Sequence, residues 1–181
     1  MSSDAHPWLR SIFYKTPCQW LAHNGPIAAL HRTYDMTTRE MYPYLCVSDA
    51  QAAVDFYTRV FGMTEKFRLT EPGGRIGHVE LDFGGSTLML CEEFPEYGIR
   101  SPRSLGGTAV TIHLHVDNAD AVVNRAMAEG AKIHMPLADQ FYGERSGSFF
   151  DPFGHRWNVG HHIEDLTPQE MQRRYDENPD C

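Results

Sequence analysis

The chain has 181 residues, of which 41% are hydrophobic, and its 24 acidic and 16 basic residues give a formal charge of -8. This composition supports a hydrophobic core and excludes a chain that is disordered throughout. The negative charge and the lack of a Lys/Arg run exclude nucleic acid as the main partner, because phosphate binding needs clustered positive charge. No run approaches the ~18 continuous apolar residues of a membrane span. The length fits one domain, or a domain built from two halves.

Cysteine and histidine are the residue types that bear on metal chemistry. The four cysteines lie far apart, without a CxxC pair, and so indicate neither a zinc knuckle nor a disulfide framework. Ten histidines are more than average usage gives, and they raise the question of a metal site.

The N-terminal part differs in pattern from the rest of the chain. Residues 1–40 carry scattered prolines and aromatic residues with no sustained period, which predicts an irregular extension. We expect the remainder to fold without residues 1–36. Alternation over Met41–Val47 predicts a strand, and Asp49–Phe61 has the apolar face of a helix that Gly62 ends. The strands predicted to complete this βαβββ unit are Thr64–Leu69, Arg75–Phe83 and Ser86–Cys91.

The same unit recurs 69 residues further along the chain. Leu45-Cys46-Val47 aligns with Leu114-His115-Val116, and Asp82 aligns with Asp151, in one order and one register. An α+β fold of two βαβββ modules is therefore predicted. The predicted modules span about 41–92 and 108–165, and a tail follows at 166–181. A capping box at Thr167–Glu170 predicts a short helix in this tail.

Alternation along the strands predicts which side chains face away from the helices. In Val110–Val116 the apolar residues Val110, Ile112, Leu114 and Val116 face a helix, and Thr111, His113 and His115 face the opposite side. The same parity turns Tyr42, Tyr44, Met89 and Asn158 toward that polar and aromatic side. We expect Trp157 to pack under a helix, and Phe149 and Phe153 to line the pocket.

Two segments carry a family resemblance. YLCVSDAQAAVDFYTRVFGM, early in the chain, and GSFFDPFGHRWNV, late in it, resemble the vicinal oxygen chelate superfamily of glyoxalase I, bleomycin-resistance proteins, fosfomycin-modifying enzymes and extradiol dioxygenases. The resemblance covers about residues 41–165. Tyr142–Gly147, taken with Asp151–Trp157, resembles the bleomycin-resistance-like branch that also holds phosphonate-operon-associated members. The resemblance implies a cytoplasmic homodimer whose cavities borrow residues across the interface.

The resemblance also identifies four positions that supply metal ligands in metal-using relatives. Carried over to this chain, they are occupied by Tyr42, Met89, Thr111 and Asn158. None of these offers the imidazole or carboxylate that a divalent ion prefers. We therefore expect no cofactor. A displaced cluster of His78, Glu80, His113 and His115 is the alternative.

Several residues remain as candidates for the site. The histidines that could act as general acid or base are His113, His115 and His162. Arg145 either clamps an anionic ligand or pairs with Glu144 or Asp139. The predicted ligand-binding set is Tyr42, Tyr44, Met89, Thr111, His113, Tyr142, Arg145 and Asn158.

Three functions fit these residues. The first is a dimeric, metal-free binding protein that sequesters a small polar or aromatic compound, as antibiotic-resistance members do. The second is an enzyme of lyase, transferase or dioxygenase-like type that uses a displaced metal or histidine acid/base chemistry. The third is a regulatory domain that binds a protein partner. We expect neither nucleic acid nor a membrane as a partner.

Overall fold

The computed structural model describes residues 40–177, so the predicted extension lies outside the described residues except for Glu40. Within this range the chain forms two four-stranded sheets. Sheet 1 consists of β1 (Tyr44–Val47), β2 (Thr64–Thr70), β3 (Ile76–Phe83) and β4 (Ser86–Glu92). Sheet 2 consists of β5 (Thr111–His115), β6 (Lys132–Asp139), β7 (Glu144–Phe150) and β8 (Arg156–His162). The α-helices are α1 (Ala50–Phe61), α2 (Pro102–Leu105), α3 (Ala119–Ala128) and α4 (Pro168–Glu177), and Pro95–Tyr97 forms a 3-10 turn.

The two sheets have the same topology, which confirms the predicted pair of βαβββ modules. Their strand orders are β1-β4-β3-β2 and β5-β8-β7-β6. The first strand of each module pairs in parallel with the last, and the other neighbours are antiparallel. Tyr44 pairs with Met89 in the first module, and His113 pairs with Asn158 in the second. The sequence repeat is therefore kept residue by residue in the hydrogen-bonded register.

Both long helices begin in the same way after the first strand of their module. Asp49 caps α1 by accepting a hydrogen bond from the backbone N–H of Ala52, and Asn118 caps α3 through Ala121 (both 2.9 Å). Gly62 ends α1 with a φ of 73°, a left-handed conformation that suits glycine. These caps turn the apolar faces of α1 and α3 toward a shared core.

The core between the modules is organised around Asp151, which is 5% exposed. Its Oδ2 accepts hydrogen bonds from Tyr57 Oη and Trp157 Nε1, both at 2.8 Å. Its Oδ1 accepts from the backbone N–H groups of Phe153 and His155, both at 2.9 Å. Burial raises the pKa of Tyr57 well above its usual range, and the Asp151 charge adds to the effect. The carboxylate therefore links α1 of the first module to β8 of the second.

Three expectations about individual residues are wrong. β1 begins at Tyr44, three residues after the predicted start, and Met41 is 89% exposed. Val110 precedes β5 and is exposed, so it does not lie under a helix. Phe149 and Phe153 are buried in the core instead of lining the pocket. Phe149 pairs with Trp157 in the sheet register, which puts its ring on the helix-facing side.

The tail helix α4 begins at Pro168, as the capping box predicts, and Thr167 Oγ1 accepts a hydrogen bond from the backbone N–H of Glu170. Between residues 40 and 177, no helix combines the length and the apolar character needed to cross a bilayer.

Candidate functional site

The face of sheet 2 that lies away from α3, here called the open face, carries the predicted polar side chains. Leu114 and Trp157 point from β5 and β8 into the core. Alternation therefore turns Thr111, His113 and Asn158 to the open face.

A cavity of about 570 Å³ lies on this open face. That volume is in the range of small-molecule pockets. The residues that line it are Thr111, His134, Met135, Gln140, Phe141, Tyr142, Ser146, Gly147, Ser148, Arg156, Asn158 and Tyr175. Of the predicted ligand-binding set, the structure thus brings Thr111, Tyr142 and Asn158 together.

The aromatic side of the cavity comes from the β6–β7 connection and from α4. The Tyr142 hydroxyl forms a 2.7 Å hydrogen bond with Ser146 Oγ. The ring of Tyr175, on α4, lies 5.6 Å from that of Phe141. Arg174 holds α4 in place through an ion pair with Glu164 at 2.8 Å. The ligand-binding set predicted from the sequence contains no residue of this helix.

One hydroxyl in the wall of the cavity has no hydrogen-bond partner among the residues that the structure describes. Ser148 is 6% exposed, and its Oγ is a buried atom that forms no hydrogen bond within residues 40–177. Ser148 pairs with Asn158 in the β7–β8 register, so its side chain lies on the open face, where Ser148 forms part of the cavity wall. Buried polar atoms are rarely left unpaired, because the lost hydrogen bonds to water are not replaced.

The other predicted ligand residues lie elsewhere. Tyr42 and His113 line a second recess, of about 540 Å³, between the modules. Tyr44 and Met89 belong to sheet 1. The Tyr44 hydroxyl forms a 2.9 Å hydrogen bond with His78 Nδ1, and burial raises the pKa of Tyr44.

Arg145 is held on the helix-bearing side of sheet 2 and does not line the cavity. Its guanidinium pairs with Asp120 at 2.7 Å and with Asp139 at 3.0 Å, and these two carboxylates raise the pKa of Arg145. Glu144 and Arg145 begin β7, directly after the turn that contains Tyr142 and Gly143. Gly147 lies in this strand, where only glycine fits, because a Cβ would come within 2.8 Å of the Leu137 backbone on β6.

The four standard metal positions do not fit a divalent ion. Tyr42 lies outside β1 and donates a hydrogen bond to Glu40. Thr111 Oγ1 accepts a hydrogen bond from Arg156, and the Asn158 amide contacts His113. Met89 supplies only a thioether, a soft ligand. We therefore assign no metal-dependent reaction to these four positions.

A different set of ligand atoms converges where His113 and His115 line the second recess, and His113 there contacts Asn158 of the cavity. His115 Nε2 lies 3.3 Å from Glu144 Oε1, and His113 Nε2 lies 3.9 Å from Glu144 Oε2. A search of residues 40–177 for three or more His, Cys, Asp or Glu side chains with ligand atoms close enough to hold one ion finds this trio. His78 and Glu80 pair with each other on sheet 1 at 3.5 Å, and His162 pairs with Asp165 at 3.0 Å.

Sequence reasoning missed Glu144 as a member of this group. It lies on β7, two strands away from β5, and was considered only as a partner for Arg145. No pattern within its own segment indicates this role, and only the pairing with His162 in the structure places Glu144 on the open face near Gly160.

The comparisons with known proteins agree with this architecture. The sequence profile of the Glyoxalase/Bleomycin resistance protein/Dioxygenase superfamily matches residues 34–159, and the chain belongs to this superfamily. It is 42% identical over 133 residues to an uncharacterized protein of Mycobacterium tuberculosis. The aligned residues cover 72% of this chain and 78% of that protein.

Two solved structures extend the comparison. The first is TioX from Micromonospora sp. ML1, with 31% identity and a TM-score of 0.55 over 70% of this chain and 100% of that chain. The second is protein PA1353 from Pseudomonas aeruginosa, with 27% identity and a TM-score of 0.60 over 70% of this chain and 100% of that chain.

Proposed function

We propose that this protein binds a small compound with an aromatic part and a polar part in the cavity on the open face of sheet 2. The observation that carries the proposal is a cavity of about 570 Å³ in whose wall the Ser148 hydroxyl has no hydrogen-bond partner among residues 40–177. A ligand oxygen or nitrogen at this point would supply the missing hydrogen bond. Sequestration of the compound is the role that follows, and the Tyr142–Trp157 motif supports placement in the bleomycin-resistance-like branch.

The lining of the cavity defines the chemistry of the ligand. Phe141, Tyr142 and Tyr175 present aromatic surface, which favours stacking with a flat apolar group. Gln140 and Asn158 present amides that donate and accept hydrogen bonds. The compound is therefore a flat ring system with hydrogen-bonding groups on one edge.

A homodimer is part of this proposal. Large apolar side chains on the edge strands β2 and β6 are more than a third exposed, at Phe67, Leu69, Ile133 and Met135. A second copy of the chain would cover them. Light scattering on the eluted protein should give twice the mass of one chain, and the mass of a single chain at micromolar concentration would contradict the dimer.

The binding proposal is tested by identifying what the protein carries. The full-length chain is purified and denatured, and the released compounds are quantified by mass spectrometry. We expect one compound near one equivalent per chain, with about 3- to 10-fold weaker rebinding by Ser148→Ala, the range that one hydrogen bond contributes. Thr58→Ala, which removes an exposed hydroxyl on α1, is the matched control and should bind as the wild type does.

The result that would overturn the binding proposal is the lack of any retained compound together with no thermal shift from a panel of aromatic amides. Equal rebinding by Ser148→Ala and the wild type would place the ligand elsewhere.

A second candidate is an enzyme of the same superfamily, which the 3.3 Å approach of His115 to Glu144 favours. An imidazole beside a carboxylate can exchange a proton with a bound ligand. Incubation of the released compound with fresh protein separates the two functions. A changed mass would indicate turnover, and an unchanged compound would indicate binding alone.

A further inference from the structure

The carboxylate of Glu144 reaches the histidines because the strand between them lacks a side chain at the crossing point. Glu144 is on β7 and His115 is on β5, and β8 lies between these strands. His115 pairs with Gly160 of β8. A Cβ on Gly160 would come within 3.1 Å of Glu144 Oε2. Glycine at this position therefore leaves the space through which the Glu144 side chain crosses.

The crossing leaves Glu144 in an unfavourable state for a carboxylate. Its side chain is 18% exposed, and Oε2 is a buried atom that accepts no hydrogen bond from residues 40–177. An unpaired buried carboxylate oxygen carries the cost of its lost hydration, and that cost is larger for a charged group than for a neutral one. A cation between the carboxylate and the two imidazoles would remove this cost.

The donor set determines which cation fits. Two imidazole nitrogens and one carboxylate suit divalent ions such as Zn²⁺, Co²⁺, Ni²⁺ and Fe²⁺, whereas Ca²⁺ and Mg²⁺ prefer oxygen ligands alone. The three ligand atoms lie within 4.8 Å of one another. Ligand atoms about 2.0–2.2 Å from a common ion lie somewhat closer together, so small side-chain rotations complete the geometry.

The surroundings leave coordination positions open. The side chains of His113 and His115 are 40% and 63% exposed, so solvent or a further ligand has access to the ion. Three protein ligands and an accessible fourth position are typical of metal sites that bind exchangeable molecules.

Asn158 is placed to orient one of the ligands. Its side-chain amide lies 2.8 Å from His113 Nδ1 and orients the ring from the side opposite Glu144. In the structure Asn158 Nδ2 faces Nδ1. Rotation of the amide, which exchanges Nδ2 and Oδ1, lets Oδ1 accept the Nδ1 proton and leaves the Nε2 lone pair for the ion. Such outer hydrogen bonds fix the tautomer of a ligating histidine.

We propose that His113, His115 and Glu144 form a binding site for one divalent transition-metal ion on the open face of sheet 2. The site lies beside the cavity and does not depend on a compound being bound there. It is displaced from the four positions that the superfamily resemblance implies, and it uses a strand, β7, that contributes none of them.

The test uses the untagged full-length chain, freed of metal by chelator dialysis, with Co²⁺ as a visible probe and Zn²⁺ as its competitor. We expect one equivalent of Co²⁺ per chain, with absorption bands in the visible range that Zn²⁺ removes. Glu144→Gln and His115→Ala should each weaken Co²⁺ binding by at least about 100-fold, beyond the 10- to 100-fold typical of outer-sphere partners. Asn158→Ala should weaken it by about tenfold.

Glu65→Gln is the matched control for Glu144→Gln, because Glu65 is a carboxylate on β2 of the first module that pairs with Arg68 outside the trio. It should bind Co²⁺ as the wild type does. Glu144→Gln keeps the shape of the side chain and removes a buried charge, so its metal-free form should melt no lower than the wild type.

The proposal is overturned if the wild-type chain takes up no Co²⁺ or Zn²⁺ at 100 µM, or if uptake is unchanged in both Glu144→Gln and His115→Ala. If Glu144→Gln and His115→Ala lose Co²⁺ binding and fully retain the co-purified compound, the ion site is confirmed and the cavity proposal is unaffected. If these variants keep Co²⁺ binding and lose the compound, only the proposal of the ion site is overturned.

Discussion

The two modules place different residues at equivalent points of the same backbone. In module one, Cys46 of β1 pairs with Cys91 of β4, and in module two His115 of β5 pairs with Gly160 of β8. Cys91 is buried and fills its position, whereas Gly160 leaves room for Glu144 to cross the strand. One duplicated fold thus has a filled face in the first copy and a face open to a ligand in the second.

The two modules also differ in whether their polar side chains are hydrogen-bonded within the chain. In module one, Tyr44 is hydrogen-bonded to His78 at 2.9 Å, and His78 lies 3.5 Å from Glu80. In module two, β7 carries both of the buried side-chain atoms that lack a hydrogen-bond partner within residues 40–177, Glu144 Oε2 and Ser148 Oγ. Among the described residues, the buried side-chain polar atoms of module one are thus paired within the chain, whereas two such atoms of module two are left for an added molecule or ion to pair.

The largest effect is expected where the modules join. Asp151→Ala removes the acceptor of four buried hydrogen bonds, including those from Tyr57 and Trp157. We expect the free energy of unfolding to fall by about 3–5 kcal/mol, because several buried donors lose their partner at once. Chemical denaturation followed by tryptophan fluorescence measures this change.

The repeat supplies the control for this prediction. Asp82 occupies the position in module one that corresponds to Asp151, and it is half-buried. Asp82→Ala should cost less than about 1 kcal/mol. A similar loss for the two variants would show that the modules do not differ at this point, against the role assigned to Asp151.

The second effect concerns the crossing point in module two. Gly160→Ala puts a Cβ within 3.0 Å of Ser146 Cβ and 3.1 Å of Glu144 Oε2, so the carboxylate has to move. Co²⁺ binding should weaken by at least about tenfold, and overpacking should cost about 1–3 kcal/mol of stability. Titration with Co²⁺ and a denaturation curve measure the two quantities.

Gly73→Ala serves as the control, because its Cβ would contact nothing within 4 Å. It should leave both quantities unchanged. If Gly160→Ala binds Co²⁺ as tightly as the wild type does, the passage of the Glu144 side chain over Gly160 is not the reason that module two differs from module one.

Much of the fold could be predicted because the repeat and the strand alternation are local patterns. The pairing of Tyr44 with Met89 and of His113 with Asn158 follows the same shift of 69 residues. Glu144 could not be assigned in this way. Its strand is rich in small polar residues and shows no alternation, and the contact with His115 crosses an intervening strand. Such a contact depends on the register of three strands together, which no single segment records.

The third effect tests the unpaired hydroxyl of module two through stability. Ser146 and Ser148 are both buried on β7, but only Ser146 has a partner, Tyr142. Ser146→Ala should cost about 1 kcal/mol, and Ser148→Ala should be neutral or slightly stabilising in the ligand-free protein. Equal losses in thermal melts would show that Ser148 is already satisfied, and the contrast between the modules would weaken.

The smallest effect concerns α4, which encloses the cavity of module two and has no counterpart in the βαβββ repeat. Arg173 and Arg174 lower the pKa of Glu170 from its usual 4.5 to about 2. Because the folded pKa is depressed, the stabilisation is present above about pH 4.5 and is lost as the pH falls toward 2. Both ion pairs of Glu170 lie at the surface, so added salt should weaken the effect.

The measurement is the proton NMR contact between Tyr175 and Phe141, whose rings lie 5.6 Å apart when α4 is in place. We expect this contact to fade between pH 4.5 and 2. Glu170→Gln should show a weaker contact at neutral pH and less change with acid, because it lacks the titrating charge. A contact that persists unchanged at pH 2 in the wild type would mean that aromatic packing alone holds α4 against the cavity. The charged surface of the helix would then have no part in keeping module two closed on that side.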